Sequence, residues 1–478
     1  MYQLAIDGEL IDIYEAEDAE ELIKTLASRY ENDVTTIARG GQGRNKIEWY
    51  NYPCAFDIET TTYRSGELGY YHPDGRPAAL PYLFQFNIYG SVIMVRYIED
   101  AMIIFKWLGE YFIGDRRRRL CIFDHNAGYE YGFFKDYWEL DYKECFALDI
   151  HHPVTLQLTN GVIIRDSYKI TNMSLETLTK DWSSKYIKKK EIMNYSAKRT
   201  PWDVLDAQTL EYSALDVLSL SDAMTNYLKA HDTGPWTRSP TSTSFIRAQF
   251  KKTIGIGEKH RTKEQKQYFR TLDKCKINAD IYKMLLRQAR GGNTHSNRAI
   301  TGQFIGTPEG RGVAHFDITS SYPAQIVCYP EYPLTAWQVI DTDASINDLM
   351  TLEHNGYCTL FDIVLIEPRL KEGVPVPYLA NSKCRTLKGV PKYSDNGRYL
   401  GGSEMLETTI YGIEWPIIAS QYDFSDTVVL RGYYTHKGYL PDLLRTFVLK
   451  LYAQKTELKG VEGKEVEYSL AKTYVNGV

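Results

Sequence analysis

A strand-like run that ends in two carboxylates constrains the fold most strongly. Tyr52–Ile58 (YPCAFDI) is mostly apolar, and Asp57 and Glu59 stand at its end, two residues apart. The two-residue repeat of a strand points both side chains to the same face. Two acids on one face repel each other unless a cation lies between them, and a divalent metal is the usual solution. Taken alone, such a pair is more often a solvated strand end, so a metal site is predicted only if further acids lie near it.

The first half of the chain alternates strands with helices, which predicts an α/β domain up to about residue 230. Further strands are predicted within Phe84–Tyr97 and at Cys121–Phe123, and the segment His231–Ser244, rich in Pro, Gly, Ser and Thr, is the best linker candidate. Helices are predicted at Ala101–Phe112, Tyr131–Trp138, Leu175–Asp181 and Leu205–Lys229. Residues 350–440 carry short strand-like runs, and Leu440–Tyr474 is predicted to form helical pieces.

Charge and cysteine usage exclude several classes of protein. The net charge is −5, which does not fit a polycationic DNA-coating protein. The seven cysteines are far apart and form no CxxC pair, so neither a disulfide framework nor a zinc site is predicted. The acidic N-terminus has no signal-peptide core, and the apolar runs are too short to span a bilayer. We therefore expect a soluble cytoplasmic protein with no membrane partner.

Two later segments change the interpretation of the first carboxylate pair. Asn126 and Glu130 follow a short buried strand at the start of a predicted helix. Tyr212 and Asp216 lie four residues apart on another helix and therefore share a face. The acids Asp57, Glu59, Glu130 and Asp216 together suit two Mg²⁺ ions about 3.5–4 Å apart, with Mn²⁺ as an alternative. One ion would activate water and the other would stabilise the leaving oxygen of a phosphodiester.

In this order and spacing, the segments resemble the three exonuclease motifs of family B DNA polymerases of the protein-primed bacteriophage type. The resemblance implies a ribonuclease-H-like 3′–5′ exonuclease domain, and it extends to Asp166–Lys169 and Lys190–Tyr195. It assigns catalysis to Asp57, Glu59, Glu130, Lys190, Tyr212 and Asp216, and DNA contacts to Asn126, Ser167 and Tyr195. Glu130 departs from the family, which has Asp at this position, so proofreading is expected to be slower.

A second carboxylate site is predicted at Asp317–Pro323 (DITSSYP), after the predicted strand Val313–Phe316. A carboxylate followed by a tight polar turn suits a metal–triphosphate complex. Tyr322 would pack under the sugar and leave no room for a 2′-hydroxyl, which would select deoxynucleotides. The segment resembles polymerase motif A (DxxSLYP), with Ser321 in place of Leu. The resemblance implies catalysis at Asp317, metal binding by Asp317 and Ile318, and nucleotide binding by Ser320 and Tyr322.

Two more segments extend the resemblance. Residues 245–300 carry fourteen Lys or Arg against four acids, and Arg290, Gly291 and Gly292 look like the DNA-contacting YxGG link between exonuclease and polymerase, with Ala289 in place of its Tyr. Lys472–Gly477 resembles motif B (KxxxNSxYG), with Gly477 where the family has Ser. By this resemblance Lys455, Lys472 and Asn476 bind the incoming triphosphate, a role suited to compact lysine charges.

The resulting prediction is an α/β (α+β) chain with a ribonuclease-H-like exonuclease domain and a partial polymerase palm that carries an inserted subdomain. Its expected divisions are an N-terminal extension (1–45), the exonuclease (46–230), a basic linker leading into the palm (231–300), and a partial palm with a terminal-protein-type subdomain and the start of the fingers (301–478). Because Val478 lies inside motif B, we expect motif C and the thumb to be lacking and the chain alone not to polymerise.

The expected partners are a single-stranded 3′ end, primer–template DNA, dNTPs, a terminal protein and a complementing C-terminal polymerase chain. Two alternatives stay open. One is a stand-alone 3′–5′ exonuclease that kept a polymerase remnant. The other is a non-catalytic DNA- or terminal-protein-binding module, which Glu130 and Ala289 favour weakly. Metal-dependent cleavage separates the enzyme from the module, and primer extension separates a complete polymerase from both.

Overall fold

The structure is a computed structural model in two compact units. Unit 1 comprises Met1–Gln249 and Gly463–Val478, and unit 2 comprises Phe250–Glu462. The described residues are 1–6, 8–39, 45–67, 75–114, 117–186, 194, 196–292, 300, 302–303, 306, 316–318, 320–341, 343–462 and 464–477.

Unit 1 is built on one mixed sheet of eleven strands, in the order β1-β2-β7-β6-β5-β8-β11-β10-β9, with β3 and β4 attached beside β8. The central strands β5, β8 and β11 run parallel, while β6 is antiparallel to β5 and β7. The strands are β1 (Tyr2–Ile6), β2 (Glu9–Tyr14), β3 (Val34–Arg39), β4 (Asn45–Tyr50), β5 (Cys54–Tyr63), β6 (Ala78–Ile88), β7 (Ser91–Val95), β8 (Arg118–Asp124), β9 (Phe146–Ala147), β10 (Pro153–Gln157) and β11 (Val162–Asp166).

Helices cover both faces of this sheet, as an alternation of strands and helices predicts. The alternating side chains of β5 show the two layers: Phe56 and Ile58 belong to one core cluster, and Ala55 belongs to the other, which includes the long helix α6. The helices are α1 (Ala16–Arg29), α2 (Ile98–Trp107, continued by the π-helical turn Leu108–Ile113), α3 (Gly128–Phe134), α4 (Ser167–Thr171), α5 (Leu175–Trp182), α6 (Ala207–Ala230) and α7 (Ser242–Thr253).

Unit 1 extends beyond the predicted boundaries at both ends. Residues 1–45, expected to be an extension, supply strands of the sheet itself: β1 pairs with β2, and β2 pairs with β7. Ile6 and Ile13 are fully buried there. The predicted linker also contributes to the core, since Arg238 is 1% exposed and its guanidinium lies 3.7 Å from the centre of the Phe245 ring. The polar composition of His231–Ser244 gave no indication of this packing.

Unit 2 is an antiparallel sheet flanked by helices. Its strand order is β12-β19-β14-β17-β16, with β13 beside β19 and the small pair β15-β18. Its strands are β12 (Tyr332–Pro333), β13 (Gln338–Val339), β14 (Tyr357–Ile366), β15 (Arg369–Leu370), β16 (Cys384–Asp395), β17 (Arg398–Tyr411), β18 (Tyr422–Asp423) and β19 (Asp426–Gly438). Its helices are α8 (Lys263–Lys274), α9 (Ala279–Gln288), α10 (Ser321–Cys328), α11 (Ile346–His354), α12 (Trp415–Gln421) and α13 (Asp442–Leu458). Short 3₁₀ turns lie at Asn381–Lys383 and Gly412–Glu414.

The last helix, α14 (Glu465–Asn476), belongs to unit 1. Leu470 joins the core cluster that contains α6, and the Tyr474 hydroxyl lies 2.6 Å from His231 Nε2. Most of the predicted strand Val313–Phe316 lies outside the described residues. Among the described residues, no helix has both the length and the apolar character needed to cross a bilayer.

Candidate active site

Three acids meet where strand β5 faces helix α6. Asp57, Glu59 and Asp216 each offer a carboxylate oxygen, and these oxygens lie within 4.8 Å of one another. Asp57 and Glu59 share a strand face, as their spacing predicted, because Phe56 and Ile58 turn to the opposite core. Carboxylate oxygens at this separation are the ligands that hard divalent cations prefer. The residues present therefore fit a hard divalent cation.

Helix α6 carries Asp216, a member of the acid cluster, and Tyr212 one turn before it. The helix begins after Asp206, whose side chain accepts a hydrogen bond from the Thr209 backbone N–H at 2.7 Å. Tyr212 and Asp216 are 4% and 2% exposed, so both lie on the buried side of the helix. The four-residue spacing places the phenol and the carboxylate on one face of the helix, and the role of Tyr212 in the site stays a prediction.

Strand β6 fixes the orientation of Asp57. Gln85 is the direct partner of Asp57 in the β5–β6 ladder, and its Nε2 donates to Asp57 Oδ2 at 3.1 Å. Gln85 is fully buried, so its amide has little freedom to turn away. This positioning residue was missed at the sequence level, where nothing distinguishes one strand glutamine from another.

Glu130 lies beside this cluster, together with an acid that the sequence interpretation did not use. Glu130 is 3% exposed and Asp124 is fully buried. Burial raises the pKa of both carboxyls well above the usual range, and repulsion by Asp57 raises both further. Asp124 ends strand β8 and pairs in register with Asp166 at the end of β11. Asp124 could have been found from the sequence, because it stands at the end of a buried strand, which is the same signal that pointed to Asp57.

The loop between β8 and α3 is held by residues of α4. Asn126 has a left-handed backbone (φ 84°), and its N–H donates to Asp166 Oδ1 at 3.2 Å. Ser167 is fully buried, and its hydroxyl donates to the Asp124 carbonyl at 2.8 Å. The same hydroxyl lies 2.9 Å from His125 Nδ1. Ser167 therefore holds the loop between β8 and α3 in place through these two contacts. Its contact with DNA stays a prediction.

Two predicted residues of the exonuclease site, Lys190 and Tyr195, lie outside the described residues. Their catalytic and DNA-contacting roles stay predictions.

Unit 2 brings part of the motif A segment to a lysine of α13. Lys455 Nζ donates to Ser320 Oγ at 2.7 Å, and Ser320 itself has a left-handed backbone (φ 52°) at the start of α10. Asp317 is exposed, and Ile318 and Tyr322 are 72% and 76% exposed. A lysine charge, a hydroxyl and an accessible carboxylate thus lie in one unit, and their nucleotide-binding roles stay predictions.

The motif B residues lie on an exposed face of α14. Lys472 and Asn476 are both exposed and four residues apart, whereas Leu470, Ala471 and Val475 are buried. The two predicted nucleotide ligands therefore share one accessible helix face. Their helix belongs to unit 1 and Asp317 to unit 2, so a joint site stays a prediction.

Arg290 is largely engaged within unit 2. Its Nε lies 3.2 Å from Glu414 Oε1, and its Nη2 donates to the Thr409 carbonyl at 3.2 Å. Gly291 and Gly292 are exposed, and a Cβ added to either would meet no atom of the described residues within 4 Å. The two glycines are the accessible part of this motif, and its DNA contact stays a prediction.

The fold class expected from the sequence is confirmed. Unit 1 is a mixed α/β fold, and over 89% of its length the chain has a fold similar to that of a solved DNA polymerase. The particular match is Phi29 DNA polymerase. Its complex with single-stranded DNA matches with a TM-score of 0.60 and 15% identity, and its ternary complex with primer–template DNA and incoming nucleotides with 0.56 and 16%. Each match covers 89% of this chain and 67% of that one.

At this identity the likeness shows the fold alone. No protein-family model matches the sequence, and no curated protein sequence matches it.

Proposed function

We propose that unit 1 is a 3′–5′ exonuclease that removes nucleotides from single-stranded DNA ends, and that it serves a protein-primed phage DNA polymerase. The observation that carries this proposal is the acid cluster Asp57, Glu59 and Asp216, within 4.8 Å and on a ribonuclease-H-like fold. The similar Phi29 DNA polymerase was solved with single-stranded DNA, which supports the choice of substrate.

Each residue of the cluster has a distinct task in the proposed reaction. Asp57, Glu59 and Asp216 would hold divalent cations, which supply an activated water and charge stabilisation of the leaving oxygen. Tyr212, one turn from Asp216, would orient the attacking water through its hydroxyl. Gln85 keeps the Asp57 carboxylate aimed at the site through its 3.1 Å hydrogen bond. Removal of one carboxylate should therefore lower the rate without unfolding the sheet.

The direction of cleavage provides the first test. The purified chain is incubated with Mg²⁺ and a 5′-labelled single-stranded oligonucleotide, beside Asp57→Asn. A ladder of products shortened from the 3′ end, absent for Asp57→Asn, is expected. Glu99→Gln, which changes an exposed acid on α2, is the matched control and should degrade DNA like the wild type. Undiminished cleavage by Asp57→Asn, or release of internal fragments, would contradict the proposal.

We propose a second activity, a contribution to DNA synthesis, for unit 2. The observation that favours it is the Lys455–Ser320 hydrogen bond, three residues along the chain from the exposed Asp317. These residues would bind a dNTP and Mg²⁺, with Tyr322 against the sugar. Two-metal transfer needs a second carboxylate beside Asp317, and we propose that a complementing polymerase chain supplies it.

The dNTP part is tested by binding of a fluorescent dNTP in Mg²⁺. Asp317→Asn and Lys455→Gln should each weaken binding about tenfold, the effect of losing one charge-assisted contact. Equal affinity in the wild type and both variants would refute a nucleotide site here. Primer extension by this chain alone would refute the need for a complementing chain.

A further inference from the structure

Unit 2 contains a basic cavity that none of the motifs accounts for. It has a volume of about 560 Å³ and lies among the end of α9, the turn Asn381–Lys383, and strands β16, β17 and β19. Four cationic residues line it: Arg287, Lys383, Arg385 and Arg431. Its size is in the range of ordinary ligand sites.

A buried carboxylate fixes two of these arginines. Asp362, in the middle of β14, has a side chain only 2% exposed. Arg287 Nη2 donates to both of its oxygens, at 2.8 and 3.1 Å, and Arg431 Nε donates to it at 2.6 Å. Thr409 Oγ1 also donates to Asp362. The two guanidinium groups are therefore held in place before any ligand arrives, which lowers the entropy cost of binding.

The arginines keep donors available for a ligand. Their side chains are 45% and 44% exposed for Arg287 and Arg431. Within the described part of the chain, the terminal Nη groups of Arg431 donate no hydrogen bond. Among the described residues, Asp362 and Glu407 pair with these cations and Asp280 also acts on Arg431, so four cations against three acids leave a net charge of +1. An anion is the ligand that this balance selects.

We propose that this cavity, the Asp362 cavity, binds a backbone phosphate of a nucleic-acid strand. Fixed guanidinium groups match the geometry and charge of phosphate oxygens. The cavity lies beside the Arg290–Gly292 segment: Arg290 Nη2 is 3.4 Å from Thr408 Oγ1, and Thr408 lines the cavity. Gly291 and Gly292 then give an open stretch of backbone along which a strand can lie. The assignment rests on the proposed action of this protein on DNA.

The test measures the affinity of the full chain for a labelled oligonucleotide in EDTA, where cleavage is blocked. In Arg431→Gln, Asp362 keeps Arg287 as its partner. Lys383→Gln leaves the Asp362 contacts untouched, so it remains informative if Arg431→Gln folds poorly. Each variant is expected to raise Kd about tenfold and to reduce the slope of log Kd against log salt by about 0.7–0.9, one phosphate contact. Lys388→Gln, which removes an exposed lysine of β16 paired with Glu404, is the matched control.

Three outcomes overturn the assignment: unchanged DNA affinity in both variants, an equal loss in the Lys388→Gln control, or a loss of dNTP or pyrophosphate binding with DNA affinity intact. The last outcome would assign the cavity to a free phosphate compound. Failure of the exonuclease proposal is distinguishable, because it is read from Mg²⁺-dependent cleavage and its sensitivity to Asp57→Asn. Cleavage that depends on Asp57, together with unchanged DNA affinity in the Asp362-cavity variants, would refute the cavity alone.

Discussion

His231 joins helix α14 to helix α6 in a way that makes unit 1 sensitive to acid. Its Nδ1 lies 2.6 Å from the Tyr227 carbonyl, and its Nε2 lies 2.6 Å from the Tyr474 hydroxyl. Burial, with the Arg238 charge as a smaller cause, lowers the pKa of His231 from 6.5 to about 4. The folded state therefore favours the neutral ring, while the unfolded chain binds a proton below about pH 6.5.

This difference in pKa sets the size and the pH range of the effect. Above pH 6.5 the His231 ring is neutral in both the folded and the unfolded chain, so its lowered pKa does not affect stability. The free energy of unfolding decreases as the pH falls from 6.5 towards 4, because the unfolded chain binds the proton first. A pKa shift of this size corresponds to a decrease in the free energy of unfolding of about 3 kcal/mol at most. We expect a decrease of about 2 kcal/mol because the ring is not fully buried. For a unit of this size, that is a loss of about 4–8 °C in Tm.

The assay is thermal unfolding of the wild type and His231→Gln at pH 7.5, 5.5 and 4.5. Other acids titrate in both proteins, so the quantity of interest is the difference between them. The variant should be less stable at pH 7.5, because its contacts are poorer, and the gap should close by about 2 kcal/mol at pH 4.5. His260→Gln, which changes an exposed histidine, is the control variant. A constant gap for His231→Gln would refute the reasoning.

Three further predictions concern the hydrophobic core of unit 1 and the proposed exonuclease site. Asp124→Asn should raise the free energy of unfolding by about 1–3 kcal/mol at pH 8 in EDTA and hardly at all at pH 4. The reason is that burial raises the pKa of Asp124 and penalises its charged form. Thermal unfolding at both pH values measures this difference. Phe56→Ala should cost about 3–5 kcal/mol in urea unfolding, since Phe56 is fully buried among Phe86, Phe105 and Phe134. Tyr212→Phe should slow exonuclease cleavage while leaving DNA affinity in EDTA unchanged, and equal rates would remove its proposed role.

The residues of the acid cluster could be predicted from the sequence because local periodicity determines them. Asp57 and Glu59 share a strand face, and Tyr212 and Asp216 share a helix face, in any strand or helix that contains these spacings. The buried surroundings of each segment then favour one orientation. The long apolar helix α6 was predicted as Leu205–Lys229 and observed as Ala207–Ala230 for the same reason.

Contacts between residues far apart in the sequence could not be predicted, because they depend on long-range pairing. Gln85 reaches Asp57 only through the register of β5 and β6, and Asp362 meets Arg287 and Arg431 across 75 and 69 residues of chain. The same holds for the short strands β1 and β2, which join the sheet because β2 pairs with β7 and β1 pairs with β2. No local pattern encodes these partners.

The most direct test of the central claim, that Asp57, Glu59 and Asp216 form a metal-dependent cleavage site, is the single-turnover rate of 3′ nucleotide release from single-stranded DNA. The wild type is compared with Asp216→Asn in Mg²⁺ and in EDTA, with circular dichroism as a check of folding. We expect a folded variant whose rate is lower by about 100-fold or more, and no cleavage by either protein in EDTA. Cleavage by folded Asp216→Asn at the wild-type rate, or cleavage that persists in EDTA, would contradict the claim.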